Sequence, residues 1–185
     1  MKFVRFALVL PAAVCCVLLG AGTAGASGTT GAQFGDVTCA GGNIHSGTYH
    51  SLTVTGICKV GKLANVTVLE NLVVAPGAGL NAITLGTLTV DDNLIVENGG
   101  ILGLGCSPAA GCKGTSSDSV GGFLYADHPL AVIAHSNSIA GNVTVIGGGG
   151  GLDCSSGALF GGPPFTTFED NTIGGSVNWA HMSTC

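Results

Sequence analysis

The sequence predicts an all-β protein, a right-handed parallel β-helix (β-solenoid) with two loop insertions. Two segments, residues 137–145 and 171–179, are nearly the same. Upstream, Leu52, Leu72 and Leu94 fall in similar short runs at intervals of about 20 residues, and internal repetition at such periods is typical of proteins that stack one structural unit on the next. The expected architecture is therefore a stack of coils.

Between Tyr49 and Leu104 the repeated elements are predicted to be strands. Seven short β-branched runs are separated by Gly, Asn, Asp or Pro, which interrupt each run before a helical stripe can develop. Apolar positions alternate with Thr, so one set of side chains would face inward and the other outward. A coil would hold two or three strands, and the protein five or six coils. The runs are 52–54, 66–68, 72–74, 83–85, 88–90, 94–96 and 101–104.

The repeat interval lengthens towards the C-terminus, which predicts the two insertions. The recognisable runs that follow Leu94 begin at Val143 and Val177, and these spacings are wider than those upstream. The first insertion is placed near residues 106–123, and the second at residues 147–168. Long excursions from a regular scaffold are common places for functional residues.

The segment 1–26 is predicted to be a secretory signal peptide. Lys2 and Arg5 precede an apolar stretch that runs to Leu19, and cleavage is expected between Ala26 and Ser27. The apolar stretch is shorter than the roughly 20 residues that a membrane-spanning helix requires. We therefore expect a secreted protein, extracellular or at the cell surface, with no membrane span in the mature chain.

The mature chain is expected to be one domain that follows a flexible N-terminal arm. Residues 27–36, rich in Gly, Ser, Thr and Ala, are predicted to form the arm, and residues 37–185 a single β-solenoid domain. Ten acidic residues stand against three lysines and no arginine, a formal charge of −7. Nucleic acid and anionic membranes are disfavoured as partners, because clustered Lys and Arg bind them.

Six cysteines remain in the mature chain, and export favours their pairing as disulfides. Six cysteines allow 15 connectivities, but sequence order along a solenoid favours neighbours. A zinc site is disfavoured, since the sequence holds no Cys-x-x-Cys pair. The expected pairs are Cys39–Cys58, Cys106–Cys112 and Cys154–Cys185.

Acidic pairs are the first candidates for catalysis in a β-helix, because paired carboxylates can act as acid and base on a glycosidic bond. The adjacent pairs are Asp91–Asp92 and Glu169–Asp170, and Asp127 is a further acid of interest. Neighbouring residues of a strand face opposite sides, so neither pair is arranged for joint action by itself. No catalytic residue is predicted unless acids from different coils converge in one groove.

No cofactor and no metal site is predicted. Residues 77–82 imitate the glycine-rich turn of dinucleotide-binding folds, but the sequence that follows predicts strand where a helix is needed. A corner of the solenoid is expected there. Residues 148–153 partly match a calcium-binding repeat, but a single copy occurs and Ser155 stands where an apolar residue is needed. The histidines, which show no metal-binding spacing, are His45, His50, His128, His135 and His181.

Four segments carry a resemblance to known proteins: residues 47–56 (GTYHSLTVTG), 101–106 (ILGLGC), 147–151 (GGGGG) and 168–175 (FEDNTIGG). By these segments the chain resembles a family of uncharacterised secreted actinobacterial β-solenoid proteins over nearly its whole mature length. The resemblance implies export and a β-solenoid, and it supplies no catalytic residue. Similar members of that family continue with further repeats beyond the point that matches Cys185, where this chain stops, and an uncapped end would favour self-association through exposed strand edges.

The expected function is that of a secreted, non-enzymatic structural or binding protein at the cell surface or outside the cell. Its outer face would contact cell-wall glycan, another protein or further copies of itself. A polysaccharide-active β-helix enzyme, either a lyase or a hydrolase, is the alternative. Ice or crystal binding is a third hypothesis, which two Thr-x-Thr motifs suggest, at Thr53 and Thr55 and at Thr87 and Thr89.

Overall fold

The computed structural model describes residues 35–108, 111–149, 160 and 166–183. These residues contain nineteen β-strands in three sheets, and no α-helix occurs among them. All neighbouring strands within the sheets pair in parallel. The protein is therefore a parallel β-helix, as the sequence predicts. The described residues also include no helix that is long and apolar enough to cross a membrane.

Three consecutive strands, one from each sheet, complete a coil, so that the described residues form six coils and β19 opens a seventh. Sheet A contains β1 (Asp36–Cys39), β4 (Ser51–Val54), β7 (Leu72–Val74), β10 (Leu94–Val96), β13 (Leu124–Asp127), β16 (Val143–Ile146) and β19 (Val177–Ala180). Sheet B contains β2 (Gly42–Ile44), β5 (Ile57–Val60), β8 (Gly79–Ala82), β11 (Ile101–Leu104), β14 (Ala131–His135) and β17 (Thr167–Glu169). Sheet C contains β3 (Gly47–Tyr49), β6 (Asn65–Val68), β9 (Thr87–Val90), β12 (Ser119–Val120), β15 (Ser138–Ile139) and β18 (Thr172–Ile173).

The core is a column of aliphatic side chains that stack from coil to coil. Leu52, Leu72, Leu94 and Leu124 are paired in register along sheet A, and all four are buried. Alternate residues of each strand point into this core, as the period of two in a strand requires. Burying one such leucine contributes about 1.5–3 kcal/mol relative to exposure. The stacked columns therefore hold the coils together along the whole axis.

The interval between Leu94 and Val143 contains a complete additional coil, whereas the sequence predicted one coil with an insertion. Leu124 pairs with Leu94 on one side and with Val143 on the other, which divides the interval into a longer and a shorter coil. Strand β13 reads Leu-Tyr-Ala-Asp, and its second core residue is Ala126. The strand therefore lacks the β-branched pattern by which the other strands are recognised.

Each predicted insertion interrupts a coil at a turn. The first comprises residues 105–118, between β11 and β12, and so ends before the predicted limit at residue 123. The second lies between β16 and β17, and the structure describes its residues 147–149, 160 and 166. The ring of Phe160 lies on the outer face of sheet B, where a Cβ on Gly103 would be 3.1 Å from it.

Two predicted local structures around β8 are wrong. Residues 83–85, predicted as a strand, form the turn after β8, and residues 79–82, predicted as part of a corner, form β8 itself. The turn between β7 and β8 is completed earlier because Gly77 adopts a left-handed conformation with φ of 71°. Leu80 and Ala82 then point into the core.

Disulfides are present at two of the expected positions. Cys39, at the end of β1, is bonded to Cys58 in β5 of the next coil, and Cys106 is bonded to Cys112 within the first insertion. The third expected pair, Cys154 and Cys185, lies outside the described residues. The signal peptide, its cleavage site at Ala26 and Ser27, and most of the arm also lie outside them, and β1 begins at Asp36.

Candidate functional site

The functional candidates lie at the corners of the coils, where the chain passes from one sheet to the next. The BC corner joins sheet B to sheet C and comprises residues 45–46, 61–64, 83–86, 105–118, 136–137 and 170–171. The CA corner joins sheet C to sheet A and comprises residues 50, 69–71, 91–93, 121–123, 140–142 and 174–176. The remaining turns form the AB corner.

The first insertion, residues 105–118, is called here the disulfide loop, and it projects from the BC corner. Cys106 and Ser116 exchange both backbone hydrogen bonds, at 3.1 and 2.9 Å between N and O. The Cys106–Cys112 disulfide closes the loop, and the Ser116 hydroxyl donates a hydrogen bond to the Thr84 carbonyl of the preceding coil. These contacts hold both arms of the loop close to the solenoid.

Asp118 anchors the base of the disulfide loop from a buried position. Its carboxylate oxygens accept hydrogen bonds from the backbone N–H groups of Leu88 and Gly105, each at 2.8 Å, and its side chain is 1% exposed. Gly105 adopts a left-handed conformation, and a Cβ there would lie 1.9 Å from the His135 carbonyl oxygen. Burial raises the pKa of Asp118 to about 7, although the two N–H donors act in the opposite direction.

Two asparagines continue the line of Asp118 through the next coils. The Asn137 side chain accepts the N–H of Asp118 at 3.0 Å, and Asn171 accepts the N–H of Asn137 at 2.9 Å. The Asn137 amide also donates to the Leu104 carbonyl at 3.3 Å. We call Asp118, Asn137 and Asn171 the BC ladder. It satisfies backbone groups that the departure of the loop would otherwise leave unpaired.

A cleft of about 350 Å³ lies between the disulfide loop and the solenoid. Strand β5 and the turns of three successive coils form its walls. Much of its exposed lining is apolar, and Leu85, 37% exposed, contributes to it, whereas Ile83 is nearly buried. The lining residues are Lys59, Lys62, Ile83, Thr84, Leu85, Cys106, Cys112 and Lys113.

The cleft gathers all three lysines that follow the predicted signal peptide. Lys59 lies on β5, Lys62 in the following turn, and Lys113 in the disulfide loop. The ion pairs within the described part of the chain all involve a histidine, so none of these ammonium groups has a carboxylate partner there. On the outer face of sheet B, the residues in register with Lys59 are the neutral Asn43 and Asn81. The cleft is thus a local concentration of positive charge on an acidic protein.

The acids that would have to converge for catalysis are distributed over all three corners. Asp91 and Asp92 lie at the CA corner, Asp127 ends a strand of sheet A at the AB corner, and Glu169 ends a strand of sheet B at the BC corner. The structure therefore does not bring these four carboxylates together in one groove. The predicted pair Glu169–Asp170 is likewise split between a strand end and a turn.

His50 forms an exposed cluster with two acids at the CA corner. Its Nδ1 lies 3.0 Å from Asp36 Oδ1, and its Nε2 lies 3.2 Å from Glu70 Oε1. The hydrogen bond to Asp36, followed by the charge of Glu70, raises the pKa of His50. Ser51 donates to the same Asp36 oxygen at 2.7 Å, with its hydroxyl directed to the carboxylate. This arrangement does not activate the serine as a nucleophile, because activation by His50 would require the serine hydroxyl to donate its hydrogen bond to the histidine.

The other histidines have separate local contacts. His135 is 2% exposed, with Nε2 at 2.9 Å from the Thr167 hydroxyl and Nδ1 at 3.7 Å from Glu169 Oε2. His128 Nδ1 lies 2.7 Å from Asp127 Oδ1. Within the residues that the structure describes, no group of three His, Cys, Asp or Glu side chains is arranged to hold a metal ion. Most of the calcium-like segment 148–153 lies outside them.

The two Thr-x-Thr motifs lie on different sheets, Thr53 on sheet A and Thr87 and Thr89 on sheet C. Sheet C nevertheless carries a continuous column of hydroxyl side chains, one per coil, which sequence reasoning did not find. Strand pairing places these six residues in register along the axis. The column consists of Thr48, Thr67, Thr89, Ser119, Ser138 and Thr172.

Comparisons with known proteins assign no role to any of these residues. No protein-family model, curated protein or solved structure matches the chain. The chemistry of the cleft and of the hydroxyl column therefore follows from their own side chains.

Proposed function

We propose that the mature chain is a secreted, non-enzymatic binding protein that acts at the cell surface or outside the cell. The observation that supports this most strongly is the cleft at the BC corner, where three lysines line one cavity beside a loop that is closed by a disulfide. A pocket with a few convergent polar groups is the usual form of a ligand site. The fastened loop would keep the cleft in shape before a ligand arrives, which lowers the entropic cost of binding.

The proposed partner is cell-wall glycan, and another protein is the alternative. The outer face of sheet C is rich in Thr, Ser and Asn, which donate and accept hydrogen bonds and carry no charge. Such a surface suits the hydroxyl groups of a polysaccharide. The separation of Asp91, Asp92, Asp127 and Glu169 argues against the polysaccharide-active enzyme, because a carboxylate pair must lie about 5–9.5 Å apart to act on one glycosidic bond.

The test is to incubate the secreted protein with a panel of cell-wall and plant polysaccharides and to measure retention and the release of new sugar ends. Retention without new ends is expected. Release of new ends that the purified protein catalyses would reject the non-enzymatic proposal. Retention of no polysaccharide would direct attention to a structural role or to a protein partner.

A second candidate function, binding to ice or another crystal surface, is favoured by the hydroxyl column on sheet C. Neighbouring strands lie about 4.8 Å apart, so the column would present hydroxyl groups at that regular spacing. The test is the growth of ice crystals in the presence of the protein. Replacing Thr67 and Thr89 by Val would then abolish inhibition of growth if the column is responsible, and no inhibition by the parent protein would reject this candidate.

A further inference from the structure

We propose that the cleft at the BC corner binds an acidic glycan, a sugar chain with carboxylate or phosphate groups, through Lys59, Lys62 and Lys113. This inference rests on the proposed binding function and specifies its ligand class. Lys59 and Lys62 come from one segment of the chain and Lys113 from another, and the fold brings them to one cleft. The cations of the mature chain are thus concentrated where a cavity is available.

The charge of the cleft specifies an oxyanion. A lysine ammonium group offers three donors and no acceptor, and its hydrogen bonds to carboxylate or phosphate are about twice as strong as neutral ones. No carboxylate of the described chain neutralises these lysines within hydrogen-bonding range. An incoming anion would therefore not have to displace an internal partner there.

The net charge of the whole protein does not oppose such a ligand at contact distance. Ten acids give the mature chain its formal charge of −7; Asp118 is buried at the base of the disulfide loop, and Asp91, Asp92 and Asp127 lie at the other corners. At physiological ionic strength, charges farther than about 8–10 Å are largely screened. The lysines inside the cleft therefore dominate the field that a bound anionic group experiences.

The proposed binding function makes a sugar the carrier of the anion. Asn43, in register with Lys59, is exposed, and its amide is a partner for sugar hydroxyl groups. Asn81 and Thr84 are buried, and each accepts a backbone N–H group of the protein. Much of the remaining lining is apolar, with Leu85 37% exposed, and can cover the carbon-bound hydrogens of a sugar ring.

Nucleic acid is a poorer match to the same cleft. Proteins that hold single strands combine a basic groove with aromatic side chains on which the bases stack. No Phe, Tyr or Trp is among the residues that line the cleft, and the mature chain contains no arginine. The cleft therefore supplies the charge without the stacking surface.

The experiment measures binding of the secreted full-length mature protein to three immobilised polymers. Oligogalacturonate supplies carboxylates, a poly(glycerol phosphate) supplies phosphates, and dextran is the neutral control. We expect one or both acidic polymers to bind roughly tenfold or more tightly than dextran, and we expect salt to weaken that binding. The comparison between the two acidic polymers identifies which oxyanion the cleft prefers.

Three variants assign the binding to the cleft. In the triple variant Lys59→Gln, Lys62→Gln and Lys113→Gln, the affinity for the preferred acidic polymer should fall roughly tenfold or more. Replacing the same three residues by Arg keeps the charge and should retain most of the binding. Adding Asp91→Asn and Asp92→Asn to the glutamine variant restores part of the net charge at a distant corner and should not restore binding.

Several outcomes would overturn the inference: equal affinity for dextran and both acidic polymers, binding of none of the three, or unchanged affinity in the glutamine variant. Recovery of binding by the two distant Asn replacements would also overturn it, because net charge would then explain the effect. Retention of a neutral polysaccharide in the panel without a preference for acidic polymers would overturn the inference alone. Retention of no polysaccharide in the panel, or release of new sugar ends, would count against the proposed function itself, so the two failures are distinguishable.

Discussion

The BC corner and the CA corner use the same hydrogen-bonding device in opposite surroundings. At the BC corner, the side chains of Asp118 and Asn137 accept backbone N–H groups from the preceding coil. At the CA corner, Asn93 and Asn142 accept the N–H groups of Phe123 and Ser176 in the following coil, at 3.0 and 2.9 Å. Asp118 and Asn137 are buried, whereas Asn93 is half-buried and Asn142 is exposed.

The difference shows that the surroundings of a ladder decide what it contributes. A buried backbone group that loses its partner remains unsatisfied, while one that solvent reaches can turn to water. The BC ladder can therefore hold a long loop in place, and the disulfide loop departs from this corner. At the CA corner, Asn93 and Asn142 mainly link short turns of successive coils.

The largest expected effect is that of Asn137→Ala at the BC corner. The N–H of Asp118 and the C=O of Leu104 would lose their partner, and each unsatisfied buried group costs about 1–3 kcal/mol. With the cavity that remains, we expect the free energy of unfolding to fall by about 3–5 kcal/mol. Denaturant unfolding under oxidising conditions measures it. A loss no larger than that of Asn93→Ala would contradict the distinction between the two corners.

The next effect is a dependence of stability on pH that originates at Asp118. Its pKa is about 7 in the folded protein against an ordinary value of 3.8, so between these values the folded state binds more protons than the unfolded state. The free energy of unfolding should therefore fall as pH rises from about 4 to 7, by at most about 4 kcal/mol, and level off above pH 7.

The variant Asp118→Asn provides the control for that pH dependence. Its amide cannot titrate, so most of the slope between pH 4 and pH 7 should disappear, whatever the stability of the variant at any single pH. Unfolding curves at half-unit pH intervals supply the comparison. A slope that survives the replacement would assign the effect to other groups.

A smaller effect is expected from Asn93→Ala at the CA corner. The N–H of Phe123 and the Asn71 side chain would lose a partner at positions that solvent can reach. The expected decrease in the free energy of unfolding is about 1 kcal/mol or less. The same denaturant measurement applies, and a decrease above about 3 kcal/mol would show that this corner is less accessible to water than its exposure suggests.

The smallest effect concerns His50, whose contacts at the CA corner are screened by solvent. Because its pKa is raised by Asp36 and Glu70, the contacts stabilise the fold at low pH and lose this effect as pH rises through the raised value. His50→Ala should therefore lower the thermal midpoint slightly more at pH 5.5 than at pH 8.5. A larger decrease at pH 8.5 would contradict this sign.

The regular part of the fold was predictable because its signal is local. Leu52, Leu72 and Leu94 mark successive coils by spacing alone, and the pairing of Cys39 with Cys58 follows from a separation of about one coil. Strand β13 was missed because Ala126 is sufficient to fill the core at that level. The strand at Gly79 was read as a corner, since glycine is typical of turns.

The candidate cleft was not predictable in the same way. Lys59 and Lys113 lie far apart in the sequence, and nothing in the residues around them indicates that they meet. One sequence signal does point to the region: a short loop closed by Cys106 and Cys112, with one of the few cations of the chain directly after it. The four candidate acids Asp91, Asp92, Asp127 and Glu169 show the opposite case. The sequence left open that they converge in one groove, and the structure places them at three different corners.

The sequence by itself determined the strand period, the aliphatic core and the stacking of coils, because an inward position demands an apolar side chain in every coil. Only the tertiary structure decided which polar residues share a corner. Successive coils are unequal in length, as the residues in register along sheet A show: Leu52, Leu72, Leu94, Leu124, Val143 and Val177. The corner at which a residue emerges depends on where the extra residues of the longer coils are inserted, and hydrophobic periodicity does not record that position.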